Sequence, residues 1–278
     1  MVRRLNLTIR QLINRINNSH LVKSVLTLSA GIVVSQAVAL CATPIISRIY
    51  DPEVLGDFSI ITSNASIISV VVCLGLMASI MIPRKDDVAK SLCRLLAWLI
   101  VGLSTIFLLA ALALSGIWKI FSVNLDYRVA CLILYVYVVL INVSSVCYSY
   151  LNRQKMYKVL FWNPILGTVT NAIVSIILGL FHFGLWGYAL GNILAAAMVT
   201  VHMLRWANPF SVKIEARLQP FYLIKAYKEF PLYLLPSEVL GTVARQIPIQ
   251  MLSFLFGNAV LGSFSMCISM LALPTKFL

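Results

Sequence analysis

Ser47-Arg48-Ile49-Tyr50-Asp51-Pro52-Glu53-Val54-Leu55-Gly56-Asp57-Phe58-Ser59 returns 206 residues later as Ser253-Phe254-Leu255-Phe256-Gly257-Asn258-Ala259-Val260-Leu261-Gly262-Ser263-Phe264-Ser265. Six of the thirteen positions are identical, among them Val-Leu-Gly and the closing Phe-Ser, while Tyr50 is answered by Phe256 and Ile49 by Leu255. A short repeat at a fixed offset marks two copies of one unit. Each copy interrupts apolar sequence, so the stretch reads as a corner joining two consecutive spans, and its echo as the same corner in a second unit.

Outward from that corner the chain is strongly apolar. It is 60% hydrophobic and 11% charged over 278 residues, with a mean hydropathy of +0.93, more apolar surface than one soluble core of this size can hide. Six runs, Ser24 to Ser47, Phe58 to Ile82, Leu95 to Ile117, Val129 to Leu151, Val159 to Phe181 and Phe183 to Leu204, contain no Asp, Glu, Lys or Arg. Each has about the twenty residues an α-helix needs to cross the hydrocarbon core. The alternation of a barrel strand is absent, which leaves helices as the spanning element. Phe230 to Phe256 makes a seventh span and Ala259 to the terminus an eighth. The expected fold is therefore an all-α integral membrane bundle: a basic amphipathic segment over 1–23, a first six-helix lobe over 24–204, a linker over 205–229, and the first two spans of a second lobe over 230–278.

The net charge of +13 does not form a nucleic-acid stripe, because the bases sit between apolar runs. Seventeen Lys and Arg fall in the amino terminus and the alternate loops at 83–94, 152–158 and 205–229, against three (Arg48, Lys119 and Arg128) on the other side. The positive-inside rule then makes the amino terminus cytoplasmic. Over residues 1 to 23, Leu5, Ile9, Leu12, Ile13 and Ile16 recur at helical spacing among five bases, the pattern of a helix on an anionic surface or of a basic tail that sets orientation. Six spans bring the chain back to the cytoplasm, so the second copy starts in the same orientation as the first, as in transporters built from parallel repeats. Doubling the offset gives roughly 412 residues and twelve spans, so a chain ending at Leu278 is expected to be truncated within the second lobe.

Some polar residues stand out against this background. Arg48 lies at the outer end of the first span, where bases are scarce; it either faces an internal cavity, where a guanidinium grips phosphate through paired hydrogen bonds, or snorkels to the headgroups near Asp51. Arg245 falls near the middle of the seventh span, where a charge costs about 2.5 to 3.5 kcal/mol unless it faces protein or water. Glu238 is seven residues earlier, about 10 Å along the axis, and is the candidate for coupling to a proton or cation. Pro231, Pro236 and Pro248, with Gly241, mark this span as kinked or broken, a device that serves as a hinge or exposes backbone to a cavity in transporters. Gly187 and Gly191 form a GxxxG suited to close helix packing. Gln36, Asn64, Asn142, Asn163, Asn171 and Asn192 lie inside spans, as helix-to-helix bonds or as the lining of a cavity for sugar hydroxyls.

Six cysteines, at 41, 73, 93, 131, 147 and 267, show no metal-ligand spacing and read as small apolar residues. Paired carboxylates, a Gly-rich phosphate loop and a His cluster are all missing from the sequence, so neither catalysis, a metal nor a cofactor is expected.

The run Ser35-Gln36, then Pro44 through Phe58, then Ile80-Met81-Ile82-Pro83-Arg84-Lys85-Asp86-Asp87-Val88-Ala89, resembles the amino-terminal half of Wzx-type O-antigen and capsule flippases. Phe230-Pro231-Leu232-Tyr233, Phe256-Gly257 with Gly262, and Ala272-Leu273-Pro274 resemble the start of that family's second half. The resemblance implies two six-helix lobes around a cavity, of the multidrug/oligosaccharidyl-lipid/polysaccharide (MOP) exporter superfamily. It implies translocation of undecaprenyl-diphosphate-linked oligosaccharide across a bacterial inner membrane, with the bilayer, the lipid-linked oligosaccharide and other polysaccharide assembly proteins as partners. Arg48 matches a family position of cationic cavity type; Arg245 is a candidate by depth alone. Where many relatives carry a charged Leu-Arg-Tyr-Glu box late in the second span, this chain has Leu74-Gly75-Leu76-Met77. A multidrug or cation-coupled exporter of the same fold and a non-transporting structural partner in the envelope are the alternatives.

Overall fold

The computed structural model describes residues 20–113, 127–210 and 227–275; residues 1–19 of the basic segment expected over 1–23 and the middle of the 205–229 linker lie outside them. The described chain is helical: α1 His20–Ile49, α2 Pro52–Cys73, a 3-10 turn Leu76–Met81, α3 Asp86–Ala113, α4 Tyr127–Arg153, α5 Tyr157–Leu180, α6 Gly184–Trp206, a π turn Phe230–Leu234, α7 Leu235–Phe256 and α8 Asn258–Thr275. Seven of these stretches are long and apolar enough to cross a membrane, the seventh being Phe230–Phe256, and a shorter apolar helix follows at Asn258–Leu271. Helices suit that setting because each satisfies its own backbone polar groups in the absence of water.

The second span differs from its expected bounds at both ends. Its helix starts at Pro52, whose missing N–H costs nothing in the first turn, and stops at Cys73 because Leu74 and Gly75 both take left-handed conformations (φ 50° and 65°). The 3-10 turn that follows is tied to the end of α4: Arg153 donates to the carbonyls of Ile80 and Met81 at 3.3 and 3.4 Å. Asp86, at the start of α3, accepts from Tyr150 at 3.1 Å and Gln154 at 2.7 Å, with Arg153 and Lys90 at 3.7 and 3.6 Å. Charges that the sequence assigns to a loop thus bind one end of the bundle together, and α3 begins nine residues before the apolar run at Leu95.

Helices α1, α5 and α6 pack closely, α4 joins α6 to α2 and α3, and α7 and α8 pack against α2. One apolar core gathers Phe58, Ile61 and Ala65 of α2 with Ile133 and Val138 of α4 and Leu185 of α6. A second, around Val72, Leu76, Ile80, Leu96 and Val146, seals the end where α2 breaks. The GxxxG on α6 does pack closely: a Cβ on Gly191 would overlap the Ser175 hydroxyl of α5, and one on Gly187 would come within 2.8 Å of the Tyr50 hydroxyl.

Candidate functional site

The repeated stretch is mostly helix. Only Tyr50 and Asp51 separate α1 from α2, and only Gly257 separates α7 from α8, so the shared Val-Leu-Gly and Phe-Ser fall in the first turns of α2 and α8. At 56 and 59 (262 and 265), the small residues lie on one helix face, and the two faces meet. A Cβ on Gly56 would collide with the Asn258 carbonyl, and a Cβ on Gly262 with the Pro52 carbonyl. Pro52 and Asn258 are themselves 206 apart, so the two clashes are one contact seen from both sides. The Ser59 and Ser265 hydroxyls, also equivalent, bond to each other at 2.8 Å. Beside them the buried Asp57 accepts from the Asn258 amide, whose oxygen accepts from Ser253 at 2.7 Å. Sequence reasoning placed this stretch at a corner; the identical spacing of glycine and serine in both copies was the signal that it is a helix crossing.

Farther along the seam, Gln250 of α7 donates to Ser63 at 3.1 Å and to Asn64 at 3.2 Å on α2. Gln250 was not singled out from the sequence, though an amide inside an apolar run is the same signal that picked out Asn64. Arg245 lies one turn and a half away on α7, exposed, and donates to Thr242 at 3.0 Å within its own helix. A Cβ on Gly241 would stand 3.6 Å from its guanidinium, so the glycine leaves that side open. Glu238 is exposed on the same stripe. Arg48 is exposed at the end of α1 and pairs with neither Asp51 nor another described residue. The structure therefore puts Glu238 and Arg245 together on α7 and leaves Arg48 apart.

The break expected in the seventh span is confined to its start. Pro231 opens the π turn Phe230–Leu234 and Pro236 opens α7, while α7 runs as one helix past Gly241 and Pro248 to Phe256. Pro248 frees the carbonyl of Ala244 without ending the helix. The π turn leans on the break in α2: a Cβ on Gly75 would come within 3.3 Å of the Phe230 carbonyl and the Leu235 nitrogen.

A cavity of about 680 Å³ lies within the first six helices, between α1, α4, α5 and α6. Asn163, Thr168, Asn171 and Asn192 line it, and no Asp, Glu, Lys or Arg does. Asn171 donates to Asn192 at 2.7 Å and accepts from Ser175 at 3.2 Å; Asn192 donates to the Tyr188 carbonyl at 2.9 Å. Asn163 meets His202 at 2.9 Å through its oxygen, and its Nδ2 has no partner among the described residues. Away from the cavity, Asn142 donates to Ser69 at 2.9 Å and accepts from the Cys73 thiol at 2.9 Å. That thiol is thus a donor as well as an apolar filler.

A family model described as polysaccharide biosynthesis protein matches residues 45–278. No curated protein matches the chain in sequence. Among solved structures, one described only as protein A is 16% identical with a TM-score of 0.65, covering 90% of this chain and 60% of its own. A MOP superfamily transporter from Pyrococcus furiosus, described as having a binding pocket of reversed polarity that suggests a different function, is 17% identical with a TM-score of 0.61 over 92% of this chain and 62% of its own. A multidrug resistance MATE family transporter in an inward-facing conformation is 15% identical with a TM-score of 0.57, over 90% and 59%. At these identities the likeness is one of fold, and this chain spans about 60% of the length of these structures.

Proposed function

This chain belongs to the polysaccharide biosynthesis protein family, and we propose on that premise that it serves to move an undecaprenyl-diphosphate-linked oligosaccharide from the inner to the outer leaflet of a bacterial inner membrane. The observation that carries the reading is Arg245. It stands in a spanning helix and, among the described residues, its side chain bonds to Thr242 alone, which leaves most of its donors for an anion. A guanidinium in that position binds phosphate oxygens more strongly than neutral donors do, and its burden in the membrane is relieved when the diphosphate arrives. In this reading Glu238, on the same stripe of α7, exchanges a proton or cation as the diphosphate binds and leaves Arg245. Arg48, on α1, offers a second cation at the mouth, with the lipid tail left in the bilayer.

The charge asymmetry of the loops supports a cytoplasmic amino terminus, with Arg153 and the Asp86 cluster on the inner side and the α2–α8 crossing on the outer side. In that orientation the crossing closes the outer end, and its opening releases the sugar outward. Arg245→Ala is expected to reduce surface polysaccharide at least tenfold in a strain that depends on this protein, with unchanged membrane insertion, and Arg245→Lys to restore part of it. Wild-type surface polysaccharide in the alanine variant would overturn the assignment.

A further inference from the structure

Asn163 is 4% exposed, borders the cavity of the first bundle, and leaves one polar atom of its amide without a protein partner whichever way the amide is turned. Buried polar groups are normally satisfied, and an exception marks a place for a ligand or water. One turn and a half along α5, Thr168 faces the same cavity and makes no hydrogen bond to any described residue. Tyr137, Tyr148 and Tyr188 supply aromatic walls from α4 and α6. We propose that this cavity binds a neutral pyranose of the lipid-linked substrate, through its hydroxyl or acetamido groups, at a site separate from the cations that meet the diphosphate; this rests on the flippase reading above.

The lining chooses among occupants. A phosphate or carboxylate would be buried among residues that carry no counter-charge, which strongly disfavours it. A lipid tail would fill the space and leave Asn163 and Thr168 unpaired. A pyranose brings acceptors for the free amide N–H, donors for the Thr168 oxygen, and apolar C–H faces for the tyrosine rings. The volume of about 680 Å³ lies within the usual range for pockets that bury a small organic ligand.

The test uses the whole chain in lipid nanodiscs with N-acetylglucosamine as probe, read by saturation transfer to the sugar ring protons in NMR. Saturation is expected in the wild type and equally in Gly102→Ala, which lies away from both sites, and is expected to fall at least fivefold in Asn163→Leu, with a smaller fall in Thr168→Val. Thermal unfolding is run on each variant; if Asn163→Leu does not fold, Thr168→Val decides. No saturation in the wild type, or saturation unchanged by both cavity substitutions in folded protein, would overturn the proposal, the second result leaving water as the partner of Asn163. Export measured in parallel separates the two readings. Export that needs Arg245 but ignores the cavity variants sinks only the cavity assignment, whereas cavity-dependent sugar binding without export in the wild type sinks only the flippase.

Discussion

Tyr50 occupies the short link between α1 and α2, yet it is buried, and its hydroxyl donates to the Ser175 carbonyl of α5 at 2.7 Å. Burial pushes that hydroxyl up to about 12, with neighbouring Tyr188 adding to the shift. A group raised in this way favours the fold fully below its ordinary value of 10.0, and the advantage is lost as pH climbs through about 12, so Tyr50 remains a donor across the working range. Tyr50→Phe keeps the ring and removes one buried hydrogen bond. It is expected to cost about 1 kcal/mol of stability, seen as a lower unfolding midpoint in detergent, and an unchanged midpoint would show the bond to be idle. The sequence flagged the neighbouring Arg48 and passed over Tyr50, because an aromatic at a span end looks interfacial; its role depends on Gly179 and Gly187, more than 120 residues away, giving its ring room.

Among the elements, α2 departs most from a simple apolar span. Ser59, Ser63 and Asn64 face α7 and α8 through hydrogen bonds, Ser69 meets Asn142 of α4, and the helix ends at a left-handed Leu-Gly pair that supports the start of α7. Hydropathy reads length and hides this, so the order of the described helices was legible while the bounds of α2 and the continuity of α7 were not. A proline inside a helix has two outcomes, and only the surrounding packing chooses between them. Close approach of α2 and α8 depends on Gly56 and Gly262 alike. Gly262→Leu drives a side chain into the Pro52 carbonyl and is expected to cost about 1–3 kcal/mol, measured as a fall in unfolding temperature. The same replacement at Gly102, which has nothing within 4 Å of an added Cβ, should leave stability near wild type and serves as the control.

On the scale of the whole molecule, the first bundle and the α7–α8 pair touch mainly through α2. If export requires that seam to part, joining it covalently must stop export. Ser59→Cys with Ser265→Cys, in a background where the exposed Cys41 and Cys267 are serine, is expected to form a disulfide on oxidation, since the two hydroxyls are 2.8 Å apart. Oxidation should abolish surface polysaccharide and reduction restore it; full export from fully crosslinked protein would show that the seam is static. The candidate site was only partly legible for the same reason. Arg48, Glu238 and Arg245 announce themselves as charges in an apolar chain, but Gln250 and the free amide of Asn163 gain meaning only from what lies across from them.

The bond between Ser59 and Ser265 has a consequence for symmetry. A residue that touches its own counterpart in the other copy lies on the axis relating the copies, and contacts of that kind are the mark of a two-fold homodimer. The Gly56–Asn258 and Gly262–Pro52 contacts repeat one another across the same axis. The seam therefore has the isologous form of a two-fold interface, built within one chain. A change to the glycine or serine of either copy therefore meets the other copy's backbone or hydroxyl, whereas Arg48 and its counterpart Phe254, both exposed, differ without touching that axis.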